Sequence, residues 1–336
     1  MDKIKVGING FGRIGRNVFK IMSERPFFEI VGINDITDTK TLAHLLKYDS
    51  TQGKFNGTVD HTDTSIIVNG NEIRISACLN PAEIPWAKTP DLVIESTGVF
   101  RSREGKKGGY GDHLKNGAKK VLLTVPAKDQ IDRMIVLGVN DDELKDTDLC
   151  VSNASCTTNC LAPVVKVLND NFGIENGYMT TVHSYTNDQR ILDQPHSDLR
   201  RARSAAVSQI PTTTGAAIAV GKVMPELQGL LDGISIRVPT PTGSIIDLVV
   251  NLKTAPTKEA INAAMKKASE TTMKGILGYT EDPIVSVDII HDPHSSIFDS
   301  LSTMVMGKTI KVLSWYDNEW GYSNRVVDLA ERMFEF

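Results

Sequence analysis

Residues 3–24, KIKVGINGFGRIGRNVFKIMSE, limit what this chain can fold into more than any other stretch. A short β-branched run passes through a glycine turn into a segment where Val18, Ile21 and Met22 recur at i, i+3 and i+4, the spacing of one helix face. The turn, Gly10-Phe11-Gly12-Arg13-Ile14-Gly15, is a G-x-G-x-x-G. By itself such a sequence can be no more than a turn between two elements. Here it follows a strand, opens a helix and is followed about 20 residues on by Asp35, which closes a second strand pattern, FEIVGIND. Gly10 and Gly12 let the backbone approach a pyrophosphate at the positive end of the helix, and the Asp35 carboxylate can accept hydrogen bonds from a ribose diol. The segment reads as the opening βαβ unit of a dinucleotide site.

The pattern continues with strand candidates TSIIVNG, EIRISACL, DLVIEST, KKVLLTV, RMIVLGV and LCVSNAS. SREGKKGGYGDHLKNGA reads as a helix candidate interrupted by glycines. Alternating strands and helices predict an α/β, doubly wound, mostly parallel sheet over residues 1–154. Beyond it the strands lengthen: YMTTVHSY, DGISIRVP, IIDLVVNL, IVSVDII and TIKVLSWYD. The stretch 186–211 is polar and irregular, and long loops of that kind carry function. TKEAINAAMKKASE is an amphipathic helix with Thr257 as its N-cap. This half predicts an α+β domain with a largely antiparallel or mixed sheet. The last segment, WGYSNRVVDLAERMF, reads as a helix.

The balance of the 336 residues excludes several classes of partner. A net charge of −4 supports neither a nucleic-acid nor an anionic-membrane surface as the main partner. No apolar run approaches the roughly 20 residues of a membrane helix. Four cysteines, Cys78, Cys150, Cys156 and Cys160, are too few for a disulfide scaffold and suit a reducing compartment, so a cytoplasmic location is expected. Cys156 and Cys160 stand in C-x3-C spacing with no second pair and no H-x3–5-H, which argues against a structural metal.

Cys156 lies in SNASCTTNC, where a strand ends and a helix candidate begins. A helix N-terminus favours the thiolate, the nucleophilic form, yet a buried inert thiol fits this stretch equally well. Cys160 lies one turn further in and should face the interior. Pro163, inside the same helix, should kink it. His183 is the one histidine within a strong strand pattern; a lone strand histidine is more often structural than catalytic, and it becomes a base only if the fold brings it to Cys156. DLRRARS can be a solvated basic face or, with Thr212, Thr213, Thr214 and Gly215, an anion site built from guanidinium groups, hydroxyls and a helix start. Arg237, within a strand, calls for an anionic partner.

INGFGRIGR, SNASCTTNC, HSYTNDQR, DLRRARSAA, PTTTGAA, RVPTPTGSIIDLV and WYDNEWGYSNRVVDL together resemble the phosphorylating glyceraldehyde-3-phosphate dehydrogenases from residue 3 to the C-terminal helix. The resemblance implies a Rossmann NAD-binding domain over 1–154, a catalytic domain over 155–319, a helix over 320–336 returning to the first domain, and a homotetramer. It implies Cys156 as nucleophile with His183 as partner, Arg13 and Ile14 at the pyrophosphate, Asp35 at the adenosine ribose, and Thr97, Thr124 and Asn318 around the nicotinamide half of NAD. Ser155, Thr157, Thr214, Gly215 and Arg203 match the site for attacking inorganic phosphate, and Thr186 and Arg237 the site for the phosphate of glyceraldehyde 3-phosphate. Two departures stand out: Leu79 occupies a position near the adenine where the family commonly has arginine, and GKKGGYGD is a short insertion. HDPHS and DNEWG also resemble the erythrose-4-phosphate dehydrogenase branch, whereas Thr186 and TTTG favour the glyceraldehyde-3-phosphate branch. A nucleic-acid-binding role is at most secondary. No arginine follows Asp35 in INDITDTKT, so NAD is expected to be preferred over NADP.

Overall fold

The computed structural model describes residues 3–335; Met1, Asp2 and Phe336, at the ends of the expected domain ranges, lie outside the described residues. The chain divides into two compact units. One comprises the chain up to Ile135, Asp142–Ala154 and the chain from Ser323 on; the other comprises Val136–Asp141 and Ser155–Tyr322.

The first unit is built on strands β1 (Ile4–Asn9), β2 (Phe28–Asn34), β3 (Val59–His61), β4 (Ser65–Val68), β5 (Asn71–Ser76), β6 (Leu92–Glu95), β7 (Lys120–Leu123), β8 (Arg133–Met134) and β9 (Cys150–Ser152). Among the described residues they form one sheet in the order β3-β4-β5-β2-β1-β6-β7-β9-β8. Pairing is parallel from β5 through β8, and only β3–β4 and β4–β5 are antiparallel. All four residues of both β6 and β7 are buried, as expected for central parallel strands covered on two faces. Helices α1 (Arg13–Ser23) and α2 (Thr39–Lys47) connect successive strands, and α3 (Asp112–Lys115) is a single turn.

In the second unit, β10 (Ile174–Ser184), β11 (Ile210–Thr213), β12 (Leu231–Val238), β13 (Ser244–Leu252), β14 (Leu277–Thr280), β15 (Ser296–Met306) and β16 (Thr309–Tyr316) form a sheet in the order β11-β12-β10-β13-β16-β15-β14. β10–β12 and β14–β15 are parallel and the other pairs antiparallel, a mixed sheet. Strict alternation of burial along β16 marks a sheet with one covered face. Helix α4 (Cys156–Phe172) packs on it with α5 (Ala216–Val223) and α6 (Lys258–Glu270). Helix α7 (Trp320–Arg332) follows, and Arg25 pairs with its Asp328 and Glu331 inside the first unit.

Three expected elements differ. RMIVLGV yields only Arg133–Met134: the Val136 N–H turns to the Asn140 side chain at 2.9 Å, and the chain leaves the sheet into a turn where Gly138 takes φ +80°. IVSVDII is not a strand: Asp288 accepts from the Val285 N–H at 2.7 Å and closes a turn, leaving Val285 and Val287 exposed. The helix expected across SREGKKGGYGDHLKNGA shrinks to α3, because Gly108 takes φ +101° and the Gly109 N–H turns to the Asp112 carboxylate at 2.8 Å, so the helix begins only at Asp112. α4 runs without interruption across Pro163.

Candidate active site

The sites of the two units are built separately. In the first, β1 delivers the chain into the glycine turn. Gly10 has φ +92°, a conformation L side chains rarely adopt, and a Cβ there would lie 2.7 Å from the Thr97 nitrogen. A Cβ on Gly15 would strike the Gly10 carbonyl oxygen at 2.1 Å, so these two glycines fix the turn itself. Gly12, the N-cap of α1, differs: nothing lies within 4 Å of its Cβ position, and no side chain caps the helix. The bare α1 start opens on a cavity of about 910 Å³ lined by Gly10, Gly12, Asp35, Leu79 and Thr97 among others. Asp35 accepts from the Phe11 N–H at 2.7 Å and the Thr37 N–H at 3.0 Å, which aims its carboxylate from the end of β2. Arg13 turns its guanidinium back to Asp49, at 2.7 Å, and to the Thr51 hydroxyl, while Ile14 is half-buried in the first turn.

Behind the cavity, buried Glu95 accepts from Asn9 at 2.6 Å and meets His113 Nε2 at 2.9 Å. Thr97 donates to the Glu95 carboxylate, and the Thr124 N–H and hydroxyl both reach the Glu95 carbonyl. The expected site residues Thr97 and Thr124 are thus fixed by one carboxylate-bearing residue at the end of β6. Glu95, Asn9 and His113 were not legible as site residues, since none belongs to the glycine motif. The uncapped helix start, the shaped glycine turn and the oriented carboxylate fit a dinucleotide's pyrophosphate and ribose.

In the second unit, Cys156 is the first residue of α4, reached through Ala154 at φ +54°. Ser155 is the N-cap and accepts from the Thr158 N–H at 3.0 Å. Cys156 Sγ lies 3.5 Å from His183 Nε2. His183 and Arg237 are register partners on parallel β10 and β12, so both side chains stand on one face of the sheet. His183 Nδ1 lies 2.6 Å from the Ser184 carbonyl oxygen and 2.5 Å from Arg237 Nη1, which also reaches that oxygen at 3.2 Å. With Nδ1–H donating to Ser184, Nε2 keeps its lone pair towards the thiol.

Burial, reinforced by the Arg237 charge, pushes His183 down to about 3, so the ring is neutral at ordinary pH. Burial pushes the Cys156 thiol up, while Arg237 and the hydrogen bonds of Thr157 pull it down. Burial and the neighbouring charge thus act on the thiol in opposite directions, and the geometry sets that thiol beside a neutral base. Cys160 is fully buried against Ser296, and its thiol is pushed up to about 12, an inert group. Tyr316 links the Thr157 and Thr181 hydroxyls at 2.9 and 2.8 Å and sets its ring edge-on to His183. Its position in WYDNEWG gave no sign of this.

The anion-binding candidates divide. Thr186 is half-buried and held by Gln189; Thr214 accepts from the Ala216 N–H at 3.2 Å beside Gly215, the N-cap of α5. Asn318 accepts from Ser244 through its carbonyl, and its amide nitrogen has no protein partner among the described residues. Arg203 stands apart. Its side chain is 68% exposed and pairs with Asp193 at 2.9 Å. Arg201 instead pairs with Asp188, donates to Thr212 at 2.8 Å, and adds to the burial that lowers the Arg237 pKa. Two residues of slippage within DLRRARS decide which arginine points inward. No group of His, Cys, Asp and Glu that could hold a metal occurs among the described residues, and no described helix is long and apolar enough to cross a membrane.

Comparison with known proteins gives two family matches. Residues 4–103 match the model described as glyceraldehyde 3-phosphate dehydrogenase, NAD binding domain, and residues 155–318 match its C-terminal domain. A Borreliella burgdorferi protein named glyceraldehyde-3-phosphate dehydrogenase is 65% identical, over 98% of this chain and 99% of its own. Bacillus subtilis glyceraldehyde-3-phosphate dehydrogenase 1 is 56% identical over 97% of each chain, as is a Geobacillus stearothermophilus protein named glyceraldehyde-3-phosphate dehydrogenase.

Proposed function

The chain belongs to the glyceraldehyde-3-phosphate dehydrogenase family, and on that premise we propose that it oxidises glyceraldehyde 3-phosphate with NAD and inorganic phosphate to 1,3-bisphosphoglycerate, Cys156 acting as nucleophile and His183 as its base. It is an NAD-dependent oxidoreductase of glycolysis. The observation that carries the assignment of roles is the 3.5 Å approach of Cys156 Sγ to His183 Nε2 at the start of α4.

As Sγ bonds to the aldehyde carbon, its proton passes to Nε2 and then to the developing alkoxide, giving a hemithioacetal on Cys156. Nε2 next takes the hydroxyl proton as the carbon gives up hydride, leaving a thioester and an imidazolium. NAD, when bound, supplies the hydride acceptor. Phosphate adds to the thioester carbonyl, the C–S bond breaks, and the departing sulfur recovers its proton from Nε2. Gly10, Gly12, Arg13, Ile14, Asp35, Thr97 and Thr124 would hold NAD.

Arg237 and Thr186 are assigned to the substrate's phosphate. Ser155, Thr157, Thr214 and Gly215, with Arg201 in place of Arg203, are assigned to the attacking phosphate; half-buried guanidinium groups suit both anions. We extend the reading to a cytoplasmic homotetramer, supported by the low cysteine count and the family resemblance. The test is NADH formation with glyceraldehyde 3-phosphate and with erythrose 4-phosphate, each with and without phosphate. Sustained turnover is expected only with the first aldehyde and phosphate together; faster turnover of erythrose 4-phosphate would overturn the substrate assignment.

A further inference from the structure

The insertion GKKGGYGD packs against the cavity that holds Asp35. Gly108 has φ +101°, and a Cβ on it would meet Pro81 Cδ at 2.8 Å and Asn80 Oδ1 at 3.2 Å. The Gly108 N–H closes onto the Gly105 carbonyl at 3.1 Å, and the Gly109 N–H donates to Asp112 at 2.8 Å. Tyr110, next in the chain, is fully buried and donates to Asp129. The glycines are therefore close-packing residues, and the loop is a fixed wall. It carries Lys106 and Lys107 onto the cavity that Asp35 and Leu79 also line. Both lysines are exposed, and neither side chain has an ion-pair or hydrogen-bond partner among the described residues.

The facing acids are already engaged. Asp112 pairs with Lys115 at 2.8 Å, and the two oxygens of Asp35 accept from the Phe11 and Thr37 N–H groups. Two uncommitted cations thus stand where the wall otherwise offers Leu79. The groups that would meet a Cβ on Gly108 belong to Asn80, Pro81 and Phe100, and Asn80 and Pro81 follow Leu79 directly in the chain.

We propose that Lys106 and Lys107 form a cationic lip at the adenosine end of the cavity which recognises a phosphate on the adenosine ribose, so that a 2′-phosphorylated dinucleotide is accepted beside NAD. This rests on reading the cavity as the dinucleotide site. Asp35 still ranks NAD first, because it favours a ribose diol; the lysines reduce the penalty that a 2′-phosphate meets.

The experiment titrates the full chain and its Lys106→Gln/Lys107→Gln variant calorimetrically with 5′-AMP, 2′,5′-ADP and ATP. The variant should lose about tenfold in 2′,5′-ADP affinity, the scale of two exposed charge pairs, with less than about a twofold change for 5′-AMP. Equal loss for 5′-AMP and 2′,5′-ADP, no loss at all, or a loss confined to ATP would each overturn the proposal. Binding is read without turnover, so a chain that binds these nucleotides but fails to oxidise the aldehyde would sink the functional reading and leave this one standing.

Discussion

Helices α1 and α4 both follow a parallel strand directly, yet their first turns are finished in opposite ways. At α1 the N-cap is Gly12, which offers no side-chain acceptor and has open space at its Cβ position. At α4 the N-cap is Ser155, whose hydroxyl accepts from the Thr158 N–H and lies 2.7 Å from the Thr158 hydroxyl. A helix start left uncapped by its own side chains keeps donors for an anion from outside. A start that satisfies itself can spend its geometry on fixing one side chain, here Cys156 against His183. The same local motif therefore leaves its first turn open in one unit and positions a nucleophilic side chain in the other.

The largest effects should come from the capped start. Cys156→Ser should reduce NADH formation by about a thousandfold or more, since the covalent intermediate is lost. Cys160→Ser, one turn along the same helix, should keep activity within about threefold, because its thiol touches only buried serine and carbonyl groups. Stopped-flow absorbance at the NADH band compares the two; similar losses in both would erase the distinction between the turns. His183→Asn should slow the first turnover by about a hundredfold or more, the usual contribution of a positioned base.

At the uncapped start the effect should be smaller and fall on binding. Gly12→Ala has room for its methyl group, so the melting temperature should hold while NAD affinity falls about tenfold as the methyl intrudes on the pyrophosphate. Gly15→Ala, which would overlap the Gly10 carbonyl oxygen, should lower the melting temperature as well. Calorimetry with NAD and a thermal melt separate these, and a Gly12→Ala protein with wild-type NAD affinity would remove α1 from the cofactor site. Asp35→Asn should narrow the ratio of kcat/KM for NAD over NADP; an unchanged ratio would show that the carboxylate takes no part in choosing the cofactor.

The smallest effect concerns pH. The Arg237 charge pulls the thiol down against burial and pushes His183 down with it. Removing the charge in Arg237→Leu should move the midpoint of Cys156 alkylation to higher pH and slow alkylation at pH 7. A midpoint that stays put or falls would show that burial alone sets the thiol. The same variant should raise KM for the phosphorylated aldehyde more than it raises KM for inorganic phosphate.

How far the sequence spoke for each region follows from where the information lies. The glycine turn and Asp35 were legible because backbone sterics and a βαβ spacing act within about 25 residues. The approach of Cys156 to His183 spans two elements and had to be supplied by strand order, with Arg237 brought into register by β10 pairing with β12. The different settings of Arg201, half-buried, and Arg203, exposed, were not legible, because both carry the same charge in an irregular loop without periodicity. Glu95 and Tyr316 were missed since each acts by holding other side chains. β15 escaped notice because Ser300, Ser302 and Thr303 interrupt its apolar pattern, although Ser300 and Thr303 are buried.

The most direct measurement mixes the protein with NAD and glyceraldehyde 3-phosphate in the absence of inorganic phosphate, quenches within milliseconds, and maps the acylated peptide by mass spectrometry. The account predicts an NADH burst of about one per active chain, with the acyl group on Cys156 and Cys160 unmodified. An acyl group on Cys160, or a steady NADH rate with no burst and no acylated cysteine, would contradict it.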